Sequence, residues 1–187
     1  MGRMSLCRAE DSILLIVDIQ QKLAAAMPEE SRLEVFRNAA ILAEAARLLA
    51  IPRLVTEQYP KGLGPTDPAL APQLAAGVER FEKTVFSCCG AAGFTDRLKA
   101  LNRRQVVICG MEAHVCVLQT ALELAEAGYE VFVAEDAVCS RREANRRNAM
   151  ERLRQAGVTV TNTESVVFEW LRDSRHEQFK AISRLVR

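Results

Sequence analysis

The chain has 187 residues, of which 49% are hydrophobic and 26% are charged, and its formal net charge is +1 at pH 7. This length fits one domain with a sizeable core, so we expect a single domain over residues 1–187 and not a disordered chain. The balanced charge gives no reason to expect nucleic acid or an anionic membrane as a partner. No apolar run approaches the ~20 residues of a membrane span, and the N-terminal segment lacks an apolar signal core, which predicts a cytoplasmic protein.

Short apolar runs alternate with helical patterns through the first half of the chain. Residues 13–17 form a continuous β-branched run that predicts a strand buried on both faces. Residues 32–50 are rich in Ala, Leu and Glu and predict a long helix, and residues 53–56 predict a second strand. Glycine and proline indicate a loop over residues 59–68, and residues 83–86 predict the end of a short strand.

The second half continues this alternation. The predicted helices cover residues 95–101, 113–127, 142–156 and 165–171, and the predicted strands cover residues 105–109, 129–134 and 158–161. Gly128 is expected to end one of these helices as its C-cap. Strands that alternate with helices predict an α/β fold of three layers, α/β/α, with a doubly wound, mostly parallel, Rossmann-like sheet.

In such a fold, ligands bind beyond the carboxyl ends of the strands. Asp18 follows the first predicted strand, and Cys116 follows the strand that ends at Cys109. The turn at Gly110 places Cys116 in the first turn of a helix, where free N–H groups and the helix dipole favour an anion. Cys116 is therefore a candidate thiolate nucleophile, although an inert buried thiol is the alternative.

A cysteine hydrolase also needs a proton acceptor, a cation and donors for an oxyanion. Asp18 is a candidate acceptor, because partial burial at a strand end would raise the pKa of its carboxyl group. Lys83 is a candidate cation, and the turn before Cys116 offers backbone N–H donors. Asp18 could instead cap the next segment, and a lone lysine is usually a solvated surface charge.

Three segments together resemble the isochorismatase-like cysteine hydrolases. They are Val17-Asp-Ile-Gln20, Lys83-Thr-Val-Phe-Ser87 and Gly110-Met-Glu-Ala-His-Val-Cys-Val117. The run from Thr56 to Thr66 resembles the isochorismatase domain-containing subgroup of that family. The resemblance extends from about residue 10 to residue 185.

The resemblance implies a catalytic triad of Asp18, Lys83 and Cys116. It also implies a cis peptide bond between Met111 and Glu112, with the backbone N–H groups of Glu112 and Cys116 directed at the substrate oxygen. Members of the family are commonly homo-oligomers, so we expect one here.

The loop after the second strand departs from one branch of the family. The nicotinamidase branch holds a divalent metal there through an Asp-x-His arrangement, whereas this chain has Glu57-Gln58-Tyr59 and no histidine between residues 1 and 113. We therefore expect no metal and no cofactor. The remaining candidates for substrate binding are polar or aromatic residues near the three motifs, namely Gln20, Gln58, Tyr59, Phe86 and His114.

These inferences predict a metal-independent cysteine hydrolase that cleaves an amide-type C–N bond of a small molecule through a thioester. One alternative is an isochorismate-type vinyl ether hydrolase in which Asp18 is the general acid and the thiol has no role. The other is a catalytically silent interaction protein on the same fold. The expected partners are a small-molecule substrate and further copies of the chain, without nucleic acid or membrane.

Overall fold

A six-stranded parallel sheet lies at the centre of the computed structural model, which describes residues 6–187. The strands are β1 (Ser12–Val17), β2 (Arg53–Gln58), β3 (Val78–Lys83), β4 (Gln105–Met111), β5 (Glu130–Cys139) and β6 (Thr159–Thr161). Their spatial order is β3-β2-β1-β4-β5-β6, which confirms the doubly wound α/β class. Most of the N-terminal segment that we expected to lack a signal core lies outside the described residues.

Helices cover both faces of this sheet. They are α1 (Gln21–Ala25), α2 (Glu29–Leu48), α3 (Pro60–Leu63), α4 (Phe94–Leu101), α5 (Leu118–Glu126), α6 (Glu143–Gln155), α7 (Thr163–Leu171) and α8 (Phe179–Leu185). Helices α2, α7 and α8 contribute to one apolar core, and α4, α5 and α6 contribute to the other. Within the described residues, no helix has the length and apolar character that crossing a bilayer requires.

Strand β1 divides these two cores, because successive side chains of a strand point to opposite faces. Leu14 and Ile16 belong to the core under α2, and Ile13 and Leu15 belong to the core under α4 and α5. All six residues of β1 are buried, as expected for a central parallel strand between two helical layers.

Several predicted boundaries were wrong, and most of them lie near the carboxyl edge of the sheet. Residues 59–68 contain the one-turn helix α3 and do not form a continuous loop. Strand β3 ends at Lys83, so residues 84–86 are not part of a strand. The chain turns there, because the ammonium group of Lys83 donates hydrogen bonds to the carbonyl groups of Val85 and Phe86.

Two further differences concern β5 and the predicted helix at 113–127. Strand β5 continues to Cys139 because a shift in register lets Val138 and Cys139 pair with Gly110 and Met111 at the end of β4. The helix predicted over residues 113–127 consists of a π-helical turn, Ala113–Val117, followed by α5. A single-turn π segment is often found at a functional site.

Gly110 allows β1 and β4 to approach each other next to the end of β1. Its φ is +128°, and a Cβ atom built there would lie 2.0 Å from the carbonyl oxygen of Val17. No side chain fits at that distance, so the position requires glycine.

We predict that Gly110→Ala lowers the free energy of unfolding by about 3 kcal/mol or more, because it adds a backbone clash to an unfavourable φ. The matched control is Gly128→Ala, since Gly128 also has a positive φ of +91° but has open space around its Cα. That variant should lose only about 1–2 kcal/mol. Urea denaturation of both variants measures the difference, and equal losses would contradict the close approach of the two strands.

Candidate active site

A buried ion pair lies beyond the carboxyl ends of β1 and β3. The Nζ atom of Lys83 is 2.6 Å from Oδ2 of Asp18, and neither side chain is accessible to solvent. Asp18 directly follows β1 and has a φ of +50°, a backbone conformation that is uncommon outside glycine and is often found at functional sites. Buried charges of this kind are tolerated only when they are paired and hydrogen-bonded.

The Lys83 ammonium is further held by acceptors from two neighbouring segments. It donates hydrogen bonds to Oε1 of Gln58 at 2.7 Å and to the carbonyl oxygen of Phe86 at 2.9 Å. Nε2 of Gln58 in turn donates to the carbonyl oxygen of Thr84 at 2.6 Å. The alternative that Lys83 is a solvated surface charge is therefore wrong.

The second oxygen of Asp18 is also occupied. Oγ1 of Thr56 donates to Oδ1 of Asp18 at 2.7 Å and lies 3.5 Å from Sγ of Cys88. Neither carboxylate oxygen of Asp18 caps a helix, which excludes the capping alternative. Thr56 was not among the predicted site residues, although a hydroxyl group near the end of a buried strand could have indicated a hydrogen-bond donor at this edge of the sheet.

Cys116 lies in the π-helical turn with only 5% of its surface exposed. The pKa of its thiol is raised to about 12, chiefly by burial and also by the negative charge of Asp18, while the positive charge of Lys83 acts in the opposite direction. A hydrogen bond with Asp18 also favours the protonated thiol. The resting sulfur is thus a thiol beside a carboxylate, and not the thiolate that we expected from a helix N-terminus.

The turn that carries Cys116 is fixed from both sides. The peptide bond between Met111 and Glu112 is cis, as the family resemblance implied. The buried carboxylate of Glu112 accepts hydrogen bonds from the backbone N–H of Arg141 at 2.9 Å and from its Nε at 3.1 Å. The carbonyl oxygen of Glu112 accepts from the N–H of Val115 at 3.1 Å. The start of the π-helical turn is therefore anchored to the end of β5.

Two of the residues predicted to bind substrate have their polar groups engaged within the protein. Gln20 is fully buried, and its Nε2 donates to the carbonyl oxygens of Gln58 and Gly64 at 3.0 and 2.6 Å. Gln58 contacts Lys83 and Thr84, as described above. The side chain of Gln20 therefore positions the loop after β2, and the side chain of Gln58 positions Lys83. These roles differ from the predicted contacts with substrate.

The other three candidates are partly or largely exposed. Tyr59 and Phe86 are each about half exposed, at 54% and 53%. His114 has its Nδ1 atom 2.9 Å from Oγ of Ser140 and its Nε2 atom 3.3 Å from Nδ2 of Asn145. These contacts fix the imidazole ring next to the turn that holds Cys116.

Hydrogen bonds connect the segment after Lys83 to α5, through residues that were not among the predicted site residues. Oγ of Ser87 donates to Oε2 of Glu123 at 2.6 Å, and Oγ1 of Thr120 accepts from the N–H of Cys88 at 2.9 Å. These bonds connect widely separated parts of the chain, so no local pattern could have revealed them.

The carboxylate of Glu57, near the end of β2, holds the loop that follows this strand. Oε1 of Glu57 accepts from the N–H and the Oγ1 of Thr66, at 2.7 and 2.6 Å. Residues 6–187 contain no group of three or more His, Cys, Asp or Glu side chains that could together hold a metal ion.

Comparison with known proteins shows which family this chain resembles. A profile of the Isochorismatase domain matches residues 12–165. The chain is 41% identical over 186 residues to isochorismatase domain-containing protein 2 of Danio rerio, a match that covers 99% of this chain and 90% of that protein.

Two solved structures have the same fold over nearly the whole chain. One is the MAR1 ribonuclease of Caenorhabditis elegans, with 39% identity, a TM-score of 0.91 and coverage of 97% of this chain and 92% of that chain. The other is the YcaC gene product of Escherichia coli, described as an octameric hydrolase of unknown specificity. It has 25% identity, a TM-score of 0.89 and coverage of 99% and 91%.

We predict that Lys83→Met lowers the free energy of unfolding by about 3–5 kcal/mol, because it leaves the buried Asp18 carboxylate without its counterion. The double variant Asp18→Asn/Lys83→Met removes both charges and should recover about half of that loss. Chemical denaturation of the two variants tests the pair. A double variant less stable than Lys83→Met would show that charge pairing is not what stabilises this site.

We predict that Asp18→Asn makes Cys116 react faster with iodoacetamide at neutral pH. The Asp18 charge raises the pKa of the thiol, and Lys83, which lowers it, stays in place. Each unit by which the pKa falls increases the thiolate fraction about tenfold at a pH well below the pKa.

The rate is measured by mass spectrometry of the Cys116 peptide in a Cys89→Ala background, since Cys89 is the cysteine that is only partly buried. Raising the pH above neutrality should also accelerate labelling of the unmodified site, because burial raises the pKa of this thiol and its thiolate fraction still increases in that range. Slower labelling of Asp18→Asn would contradict the electrostatic role given to Asp18.

Proposed function

The chain belongs to the isochorismatase family and is a hydrolase of the isochorismatase-like type, and on that premise we propose a metal-independent cysteine hydrolase. Its substrate is a small molecule with an amide-type C–N bond. Cys116 is the nucleophile, Asp18 transfers protons, and Lys83 holds Asp18 in its charged form.

The first step forms a bond between sulfur and carbon. Because the resting thiol of Cys116 is protonated, attack on the carbonyl carbon is coupled to transfer of the thiol proton to Asp18. Lys83 stays fully charged beside the carboxylate and stabilises the negative charge that the sulfur and the substrate oxygen share during attack.

The second step breaks the C–N bond. The tetrahedral oxyanion accepts hydrogen bonds from the backbone N–H groups of Glu112 and Cys116. Protonated Asp18 donates its proton to the nitrogen, the amine leaves, and a thioester with Cys116 remains. Asp18 then takes a proton from water as the water oxygen attacks the thioester carbon. The C–S bond breaks, the carboxylic acid product is released, and the sulfur takes the proton back from Asp18, which regenerates the thiol and the carboxylate.

One observation carries this proposal: the thiol of Cys116 is next to a carboxylate that forms an ion pair with a fully buried lysine. A buried carboxylate without that partner would be neutralised and could not accept a proton. In this site Lys83 keeps Asp18 ready as a base, and Thr56 fixes the orientation of the carboxylate.

Two other candidates are distinguished by the role of the sulfur. A vinyl ether hydrolase with Asp18 as general acid gives the thiol of Cys116 no role, although that thiol lies beside the Asp18–Lys83 pair. An interaction protein without catalysis gives no reason for a buried ion pair beside a cysteine. The vinyl ether hydrolase would turn over its substrate without Cys116, and the interaction protein would have no turnover.

A small molecule and further copies of this chain are the partners that we propose, in the cytoplasm. The net charge of +1 does not favour RNA, although the structural relative from Caenorhabditis elegans is described as a ribonuclease. A second copy is supported by the octameric relative and by three half-exposed apolar side chains near Lys83, namely Tyr59, Val85 and Phe86.

We predict that Cys116→Ala lowers hydrolysis of small amides and carbamates by at least about a thousandfold, because the nucleophile is lost. Cys116→Ser should be similarly inactive, since a weakly acidic hydroxyl cannot replace the thiol here. The matched control is Cys7→Ala, which removes a buried thiol remote from Asp18 and should keep most of the activity.

Intact-protein mass spectrometry during turnover should detect an acyl adduct on the unmodified chain and none on Cys116→Ala. Undiminished hydrolysis of the amides and carbamates by Cys116→Ser would reject the thioester route. No hydrolysis of any member of the panel by the unmodified chain, together with no adduct, would count against the proposed function itself.

A further inference from the structure

A second cavity lies between α4 and α5, on the helical layer that also covers Cys116. Its volume is about 530 Å³, which is within the range of small-molecule sites. Leu98 and Leu124 are buried in its apolar wall, and Tyr129 closes one side. Neither Asp18 nor Cys116 lines this cavity, so it is separate from the proposed active site.

The charges at this cavity are unbalanced. Three cations, Lys99, Arg103 and Arg104, line it together with one acid, Glu123. The Glu123 carboxylate already accepts a hydrogen bond from Ser87 at 2.6 Å. An occupant with a negative charge would therefore meet an excess of positive charge.

Arg103 is the cation that is held in place. Its Nη1 donates to the carbonyl oxygens of Ala9 and Ser12, at 2.6 and 2.9 Å. The guanidinium group is half-buried, and burial lowers its pKa. A fixed, partly desolvated guanidinium group loses little side-chain entropy when it binds an anion. Lys99 and Arg104 are exposed at the rim, where Arg104 also lies 3.7 Å from the carboxylate of Glu130.

We propose that this cavity binds a small organic anion, with its apolar part against Leu98 and Leu124 and its negative group beside Arg103. The site does not depend on hydrolysis at Cys116, so it is tested without an activity assay. Cys89 provides a local probe, because this partly buried thiol lines the same cavity.

The experiment measures the rate at which iodoacetamide labels Cys89 in the full-length protein, by peptide mass spectrometry. Hexanoate and hexylammonium are the two probes, since they have the same apolar chain and opposite charges. Hexanoate should slow the labelling of Cys89 in a saturable manner, at a concentration about tenfold lower than hexylammonium requires. Isothermal titration calorimetry with hexanoate gives an independent affinity.

A charge-matched pair of variants tests where the anion binds. Lys99→Gln/Arg104→Gln removes two cations from the rim and should weaken the protection by hexanoate about tenfold. Lys180→Gln/Arg184→Gln removes two exposed cations from α8 and should leave the protection unchanged.

Three outcomes would overturn the proposal. They are equal protection by the two probes, no protection by hexanoate, and a Cys89 thiol that does not react in the folded protein because another copy of the chain covers the cavity. None of them would bear on hydrolysis at Cys116, because the acyl adduct and the labelling of Cys89 are separate measurements.

Discussion

The Asp18–Lys83 ion pair connects the first and third strands of the sheet at the point where the polypeptide leaves both of them. Two full charges without access to water are stable only as a pair with further hydrogen bonds. Thr56 and Gln58, both on β2, supply bonds to the two partners. The carboxyl ends of these three neighbouring strands therefore have to lie side by side, and the placement of the carboxylate next to Cys116 depends on that alignment.

The same pair sets the electrostatic state of the sulfur. The carboxylate raises the pKa of Cys116 and the ammonium lowers it, while burial favours the neutral thiol. In the mechanism that we propose, the thiol is unreactive at rest and loses its proton only when a carbonyl group is in place. This differs from cysteine sites in which a helix dipole or an imidazolium maintains a thiolate. The likeness to an octameric hydrolase is compatible with this chemistry and does not specify a substrate.

The sequence was most informative where a local pattern has a single physical meaning. A run such as Ile13–Val17 is apolar on both faces and can be stable only inside a parallel sheet. The helix at α2 was predicted within a few residues of its ends, at Glu29 and Leu48, because its periodicity is long. Boundaries were wrong where a distant contact decided them: β5 continues to Cys139 through pairing with β4, and β3 stops where Lys83 begins to bind carbonyl groups.

By itself, the sequence determined the fold class, the family and the three residue types that a cysteine hydrolase requires, since periodicity and short motifs are local properties of the chain. Only the tertiary structure decided that Lys83 is buried against Asp18 and that the thiol of Cys116 is protonated at rest. It also decided that the side chains of Gln20 and Gln58 form hydrogen bonds within the protein. Burial, ion pairing and pKa are set by atoms that are far apart along the chain. These properties exist only when the strands and helices are packed together.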